Sequence, residues 1–249
     1  MKYVKLFEQH ADYEAYKNGG DYITPNVSYC VDNNEVHYEK FYDPYNGHEY
    51  VDLGLPSGTL WAKCNVGATT ETDYGMYFQW GDTQGYTSAQ VGVETGKKGF
   101  AWADYKYGTY DSSDITNYGM TKYNGTDGKT SLDIEDDAAH VNMGGEWTMP
   151  TDTQISELIT LSHSVVTKNS VVGMEFTGTN GNTLFVPFSG IAHGGSVGSV
   201  GDEGYVWSSS LSSSVYDAFY LYVGGKPDAS LYDYTRCFGF SVRGVVSSN

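Results

Sequence analysis

Residues 204–243 read GYVWSSSLSSSVYDAFYLYVGGKPDASLYDYTRCFGFSVR. Two ordered anchors bracket this stretch, Gly204 to Ser209 at its start and Gly239 to Arg243 at its end. Between them Tyr, Ser, Asp and Gly dominate, and long flexible side chains are nearly missing. Strict alternation in Ala218 to Val223 predicts a strand. One of its faces carries Phe219, Leu221 and Val223, the other Tyr220 and Tyr222. Rigid amphipathic Tyr beside small Ser and Gly is the chemistry of binding loops, because Tyr offers contact area at low entropy cost. An antiparallel pair with an aromatic face is the plainer reading of the same residues.

The whole chain shares this vocabulary. Its 249 residues include 23 Tyr and 31 Gly but only 6 Pro, which suits short strands and many turns. A net charge of −17 argues against nucleic acid, whose phosphates need a basic surface, and against anionic membranes. No apolar window is long enough for a membrane span, and the N-terminus lacks the apolar run of a signal peptide. Synthesis in a cytoplasm is therefore expected. Cys30, Cys64 and Cys237 lie far apart, without metal-ligand or redox spacing.

Working outward, residues 1–47 read as an N-terminal appendage. They are expected to hold a short helix over Phe7 to Lys17 and a hairpin of Pro25–Val31 with Glu35–Phe41. Residues 48–249 form the main domain. Tyr50 to Ala68 predicts two short strands joined by a Pro-Ser-Gly turn, and Tyr74 to Gly81 another aromatic strand. Asp82 to about Lys129 is polar, Gly-rich and weakly periodic, as functional or mobile loops are. Leu132 to Val141 gathers carboxylates without the ligand spacing of a calcium loop and reads as a solvated acidic turn. Thr151 with Gln154 makes a capping box ahead of Ile155, Leu158, Ile159 and Leu161, the chain's clearest helix. Asn180-Gly181 marks a hairpin between Val172–Phe176 and Thr183–Phe188. Ser189 to Asp202 is expected to be a loop.

The six His have no pair at metal-ligand spacing. There is no nucleophile elbow, and the Gly-Lys pair in Gly92 to Lys98 fails the spacing of a phosphate loop. Neither a catalytic residue nor a cofactor or metal site is expected.

Six ordered motifs, VDLGLPSGTLWAKCNVGA, YGMYFQWGD, EDDAAHVNMGGEWTMPT, NGNTLFVPFSG, GYVWSSS and GFSVR, resemble the Fibrobacter succinogenes major paralogous domain family, common in Bacteroidetes. Met143 and Thr148 depart from the family's usual Trp and Arg. The resemblance runs from about Tyr50 to Val245. It implies an α+β, C-type lectin-like fold with short antiparallel strands, one or two helices and long loops, of the type shared with formylglycine-generating enzymes. In variable proteins of diversity-generating retroelements, the mutable segment precedes a Gly-Phe-Ser-Val-Arg-like stretch. Randomised adenines there seldom yield Lys, Glu, Gln, Met or Trp, and after Trp207 this chain holds one member of that set, Lys226. The N-terminal PNVSYCVDNNEVHY is similar to the start of proteins from Bacteroidales and their phages.

The resemblance implies a diversified, non-enzymatic binding protein encoded by a phage or prophage. Trp207, Ala218, Leu221, Arg236 and Gly239 would hold the scaffold. Ser213, Val215, Tyr216, Asp217, Phe219, Tyr220, Tyr222, Asp233, Tyr234, Thr235, Cys237 and Phe238 would be displayed. Strand alternation sends Phe219 inward, in conflict with that set. The implied partner is a protein or glycan on a cell surface, and a trimer would suit display on a phage tail. A fixed surface domain of the same family is the alternative. An oxidase of the formylglycine-generating type would need paired cysteines, and Cys237 stands alone in its region. The Glu-Pro-Asn and Trp-Asn-Asp motifs of calcium-dependent sugar binding are missing as well.

Overall fold

The computed structural model describes residues 3–6, 27–32, 35–40, 45–93, 99–226 and 228–247. The chain divides into two compact units, Met1–Gly47 and His48–Asn249. In the first, β1 (Tyr3–Leu6), β2 (Val27–Asp32) and β3 (Glu35–Lys40) form an antiparallel sheet in that order. Val27 pairs with Lys40 and Asp32 with Glu35, which is the expected hairpin. The pairing of β1 with β2 was not foreseen. The helix expected over Phe7 to Lys17 lies outside the described residues.

The second unit is mostly sheet, with two α-helices among the described residues. Its strands begin with β4 (Tyr50–Asp52), β5 (Thr59–Ala62) and β6 (Tyr77–Phe78). The turn between β4 and β5 closes where Gly58 N–H donates to the Leu55 carbonyl. The strand expected over Tyr74 to Gly81 shrinks to the two residues of β6. Helix α1 (Ala138–Met143) follows, capped by the Asp137 carboxylate, and then α2 (Asp152–Leu158). Thr151 and Gln154 make the reciprocal cap of α2 as expected, and Ile155 and Leu158 are fully buried. Helix α1 was missed because its six residues are too few to show a periodicity.

Next come β7 (Ser162–Lys168), β8 (Val171–Thr177) and β9 (Thr183–Pro187), an antiparallel meander whose β8–β9 turn contains Asn180-Gly181. The stretch Ser189 to Asp202, expected to be a loop, instead folds a small hairpin of β10 (Ile191–His193) and β11 (Ser196–Gly198). Gly194 and Gly195 adopt positive φ at its tip, a conformation that costs Gly little.

The decisive stretch supplies β12 (Glu203–Leu211), β13 (Asp217–Gly224) and β14 (Asp228–Thr235). These join β15 (Phe240–Ser241) and β6 in a five-stranded sheet of order β14-β13-β12-β15-β6. β15 lies parallel to β12, so the chain re-enters the middle of the sheet. β16 (Val245–Ser247) then pairs with β5 in a separate sheet of order β16-β5-β4. One core gathers Val206, Leu221 and Val223 of the large sheet with Ile155 and Leu158 of α2 and Met174, Phe176, Leu184 and Val186 of the meander. Burying side chains of this size contributes about 1.5–3 kcal/mol each.

The described residues of 82–93 and 99–129 contain little regular structure but are far from loose packing. Phe100, Tyr105, Tyr107, Met120 and Tyr123 are all buried. The acidic turn at 132–141 is not solvated as expected, since Asp136 and Asp137 are both 3% exposed. Asp137 accepts from the His140 and Met149 amides. Asp136 accepts from Lys106, Lys122 and the Tyr123 hydroxyl. These two carboxylates are fixtures of the interior because each replaces its lost water with donors.

Candidate functional site

The register of the large sheet divides the decisive stretch between two faces. Tyr205 pairs with Tyr222, Trp207 with Tyr220, Tyr220 with Tyr232, and Ala218 with Tyr234. Alternation therefore places Glu203, Tyr205, Trp207, Tyr220, Tyr222, Asp228, Ser230, Tyr232 and Tyr234 on one face. The opposite face carries Val206, Leu221, Val223 and Leu231 into the core. It continues past the core with Asp217, Phe219, Asp233 and Thr235, where Thr235 Oγ1 donates to Asp217 and Ser212 Oγ to Asp233.

The tyrosine face is layered. At its base Trp207 stacks on Phe240 with centroids 4.0 Å apart and donates its indole N–H to the Phe78 carbonyl at 2.8 Å. Tyr220, 6% exposed, packs against Trp207, Phe240, Tyr205, Tyr232 and Tyr234. Above this base the edge strand β14 presents Tyr232 at 50% exposure and Tyr234 at 41%. Tyr234 meets Phe238 at 5.0 Å, and Phe238 in turn packs on the exposed His193 of the small hairpin at 4.0 Å. The outermost rings thus rest on immobile ones, so little side-chain entropy is left to lose when a partner docks.

Glu203 fixes one end of the face. Its carboxylate accepts from the Tyr205 hydroxyl at 2.6 Å and the Tyr222 hydroxyl at 3.0 Å. The Tyr205 hydroxyl and then the Tyr222 hydroxyl hold this carboxyl below its ordinary range. Burial, followed by the Glu203 charge, pushes the Tyr222 phenol up to about 12. Because that folded-state value is raised, the contribution of the neutral phenol is complete below an ordinary Tyr pKa of about 10 and is lost as pH rises through 12. Difference absorbance titration of the native chain against Tyr222→Phe is expected to reveal one phenol ionising near pH 12. Glu203→Gln should bring it back toward 10.

A second aromatic group flanks Tyr216. Tyr216 packs edge-on against Tyr110 and Tyr118, and Tyr110 stacks on Trp102. Residues 99–127 therefore contribute to the surface near the start of β13, and Tyr110 is 40% exposed. This group is anchored to the sheet through Arg236. The fully buried guanidinium lies 5.3 Å from the Trp80 ring and 5.3 Å from the Tyr105 ring, and Nη1 donates to the Tyr123 carbonyl at 2.8 Å. Tyr123 continues to Asp136 and hence to Lys122. The carboxylates of Asp133, Glu135 and Asp136 lie close enough together to hold a cation. Their positive charge is Lys122 itself, whose ammonium bridges Asp133, Glu135 and Asp136.

Of the twelve displayed candidates, Ser213, Asp233 and Tyr234 are exposed, and Val215, Tyr216, Asp217, Phe219, Tyr222, Thr235 and Phe238 are half-buried. Tyr220 and Cys237 are buried, which corrects the expectation that both are displayed. Tyr220 is covered because it sits mid-sheet between two aromatic neighbours on each flanking strand. Burial pushes the Cys237 thiol up to about 12, so it stays protonated and inert at neutral pH. Phe219 faces the core side, as alternation indicated. The twelve residues thus occupy both faces of the sheet edge rather than one surface.

Tyr205, Tyr232, Glu203 and His193 belong to the tyrosine face but were missed. Continuing the period-two reading through Ser230-Leu231-Tyr232-Asp233-Tyr234 would have found Tyr232. The other three depend on register and on the unforeseen hairpin. Trp207, Ala218, Leu221, Arg236 and Gly239 are all buried. At Gly239 a Cβ would stand 2.4 Å from the Phe100 ring.

A separate surface cavity of about 390 Å³ is lined by Glu49, Tyr50, Val51, Asp52, Lys63, Asn182 and Thr183. Its Lys63 is already paired with Glu49 at 2.8 Å. No helix among the described residues is long and apolar enough to cross a membrane. Comparison with protein-family models, curated proteins and solved structures gives no match.

Proposed function

We propose that the chain is a non-enzymatic binding protein that engages a partner through the tyrosine face of β12–β14. The observation that carries this reading is the layering itself. Exposed Tyr232 and Tyr234 stand on a buried floor of Tyr220, Phe240 and Trp207, with Tyr222 and Tyr205 tied to Glu203. Aromatic anchors held rigid before contact supply most of the affinity in protein interfaces. The scaffold is C-type lectin-like in this reading, and its C-terminal segment is diversified by a retroelement. Its partner is a protein or glycan on a cell surface, met from a phage particle or a bacterial surface.

Burial narrows which codons can vary. A randomised residue at Tyr220 or Cys237 would enter packed interior, where volume changes destabilise by about 1–5 kcal/mol. Deep sequencing of the gene's 3′ end in its source population is expected to find substitutions at template adenines between Ser210 and Gly239. They should concentrate at exposed codons such as those of Ser213, Asp233 and Tyr234, with Tyr220 and Cys237 constant. An invariant 3′ end would leave a fixed surface domain with the same binding face.

A further inference from the structure

The charges around the tyrosine face point to the chemistry of its partner. From Ser208 to Ser247 the basic residues are Lys226, Arg236 and Arg243. Arg236 and Arg243 are fully buried, spent on Tyr123, Asn65 and backbone carbonyls, so Lys226 is the one exposed basic side chain in that span. Acidic groups are distributed differently. Glu203 and Asp228 share the face with Tyr205, Tyr222, Tyr232 and Tyr234, and the register brings both opposite Gly224. Asp202 precedes Glu203 directly, whereas Asp233 of the same edge strand points to the opposite face, toward Ser212.

Tyrosine rings with carboxylates at their margin attract cations twice, through the negative face of each ring and through direct charge. The same arrangement repels phosphate, sulfate and carboxylate groups, and the net charge of −17 extends that repulsion beyond the contact. Guanidinium groups suit this surface best, because they stack on aromatic faces while their N–H groups reach carboxylates.

Resting on the binding-face reading above, we propose that the partner is a basic polypeptide segment, rich in Arg, laid across Tyr222, Tyr232 and Tyr234 with its charges toward Glu203 and Asp228. Neutral glycans would stack on the rings and donate hydroxyls to the carboxylates but would bring no charge to match them, and acidic glycans would be repelled.

The test uses the full chain and three probes: a short Arg-Gly repeat peptide, the matching Glu-Gly repeat, and maltoheptaose. Binding is followed by NMR of the tyrosine ring signals at about 0.15 M salt, where only charges within about 8 Å act strongly. The Arg-Gly peptide is expected to bind and to shift Tyr222, Tyr232 and Tyr234. Tyr232→Ser with Tyr234→Ser should weaken it about tenfold, whereas Tyr232→Phe with Tyr234→Phe should retain it. Asp228→Asn should weaken it about threefold and flatten its salt dependence, with Glu146→Gln, an exposed carboxylate off the face, unchanged. Both tyrosine pairs are surface changes, and near-ultraviolet circular dichroism verifies that each variant is folded.

Arg-Gly binding that is equal in the double-Ser variant would overturn the proposal by reducing it to net charge. Maltoheptaose or the Glu-Gly peptide binding more tightly, with loss in the double-Ser variant, would overturn it while leaving the binding face intact. Tyrosine signals that do not respond to the Arg-Gly peptide would overturn the proposal, and the binding-face reading would then rest on the sequencing test above.

Discussion

Trp207→Ala is expected to destabilise the chain by about 4 kcal/mol and to abolish the order of the tyrosine face. The side chain is fully buried, and its ring supports Phe240 at 4.0 Å and Tyr220 at 6.2 Å. Truncating a buried Trp typically costs about 3–5 kcal/mol through lost transfer energy and the cavity left behind. Here the cavity opens directly under the exposed rings. The Phe78 carbonyl also loses its indole donor at 2.8 Å, and an unsatisfied buried acceptor costs roughly 1–3 kcal/mol. Urea unfolding of variant and native chain gives the energy. A loss below about 1 kcal/mol would mean that the floor is not what holds the face.

Asp136→Ala is the second large effect, expected to cost about 3 kcal/mol. Burial on its own would raise this carboxyl, yet the Lys122, Tyr107, Tyr123 and Lys106 donors hold it well below the usual carboxylate range. Removing it takes the buried acceptor from the Tyr123 hydroxyl and the Lys106 ammonium and leaves Lys122 with Asp133 and Glu135. Breaking a buried pair by deleting one partner costs roughly 3–5 kcal/mol, and the partial exposure of both lysines argues for the low end. The sign with pH follows from the depressed value. Asp136 contributes fully above its ordinary value of 3.8 and loses that contribution as acid is added below it. Stability of the native chain should therefore fall between about pH 4 and 2 more steeply than that of Asp136→Asn. Parallel slopes would refute the assignment.

Local signals in the sequence located what is local in the fold. The capping box of α2, the Asn180-Gly181 hairpin, the β4–β5 turn and the alternation of β13 all arise from neighbours within a few residues. What escaped is non-local. Tyr220 and Tyr222 look alike in sequence, two residues apart on one face. Only the rings of Trp207 on β12, Tyr232 and Tyr234 on β14 and Phe240 on β15 bury the first and leave the second half-open. Asp136 likewise reads as one carboxylate in an acidic run. Its burial depends on Lys106 and Lys122, thirty and fourteen positions earlier in the chain. Charge patterning implies solvent unless the opposing charge lies near in sequence, and here it does not.

The position of β15 has a consequence for how the molecule is made. Phe240 and Ser241 occupy the interior of the five-stranded sheet, between β12 and β6, with roughly 160 residues separating β6 from β15 along the chain. During synthesis β6 must wait for a partner that lies far later in the chain, and the β5–β16 pairing waits longer still. Such long-range closures are slow to nucleate and leave hydrophobic strands unpaired in the interval. The edge strand β14, by contrast, pairs with β13 alone, so an exposed position such as Tyr232 lies away from that closure, whereas Tyr234 reaches the Phe240 ring. Assembly and partner contact thus meet at Tyr234 and separate at Tyr232.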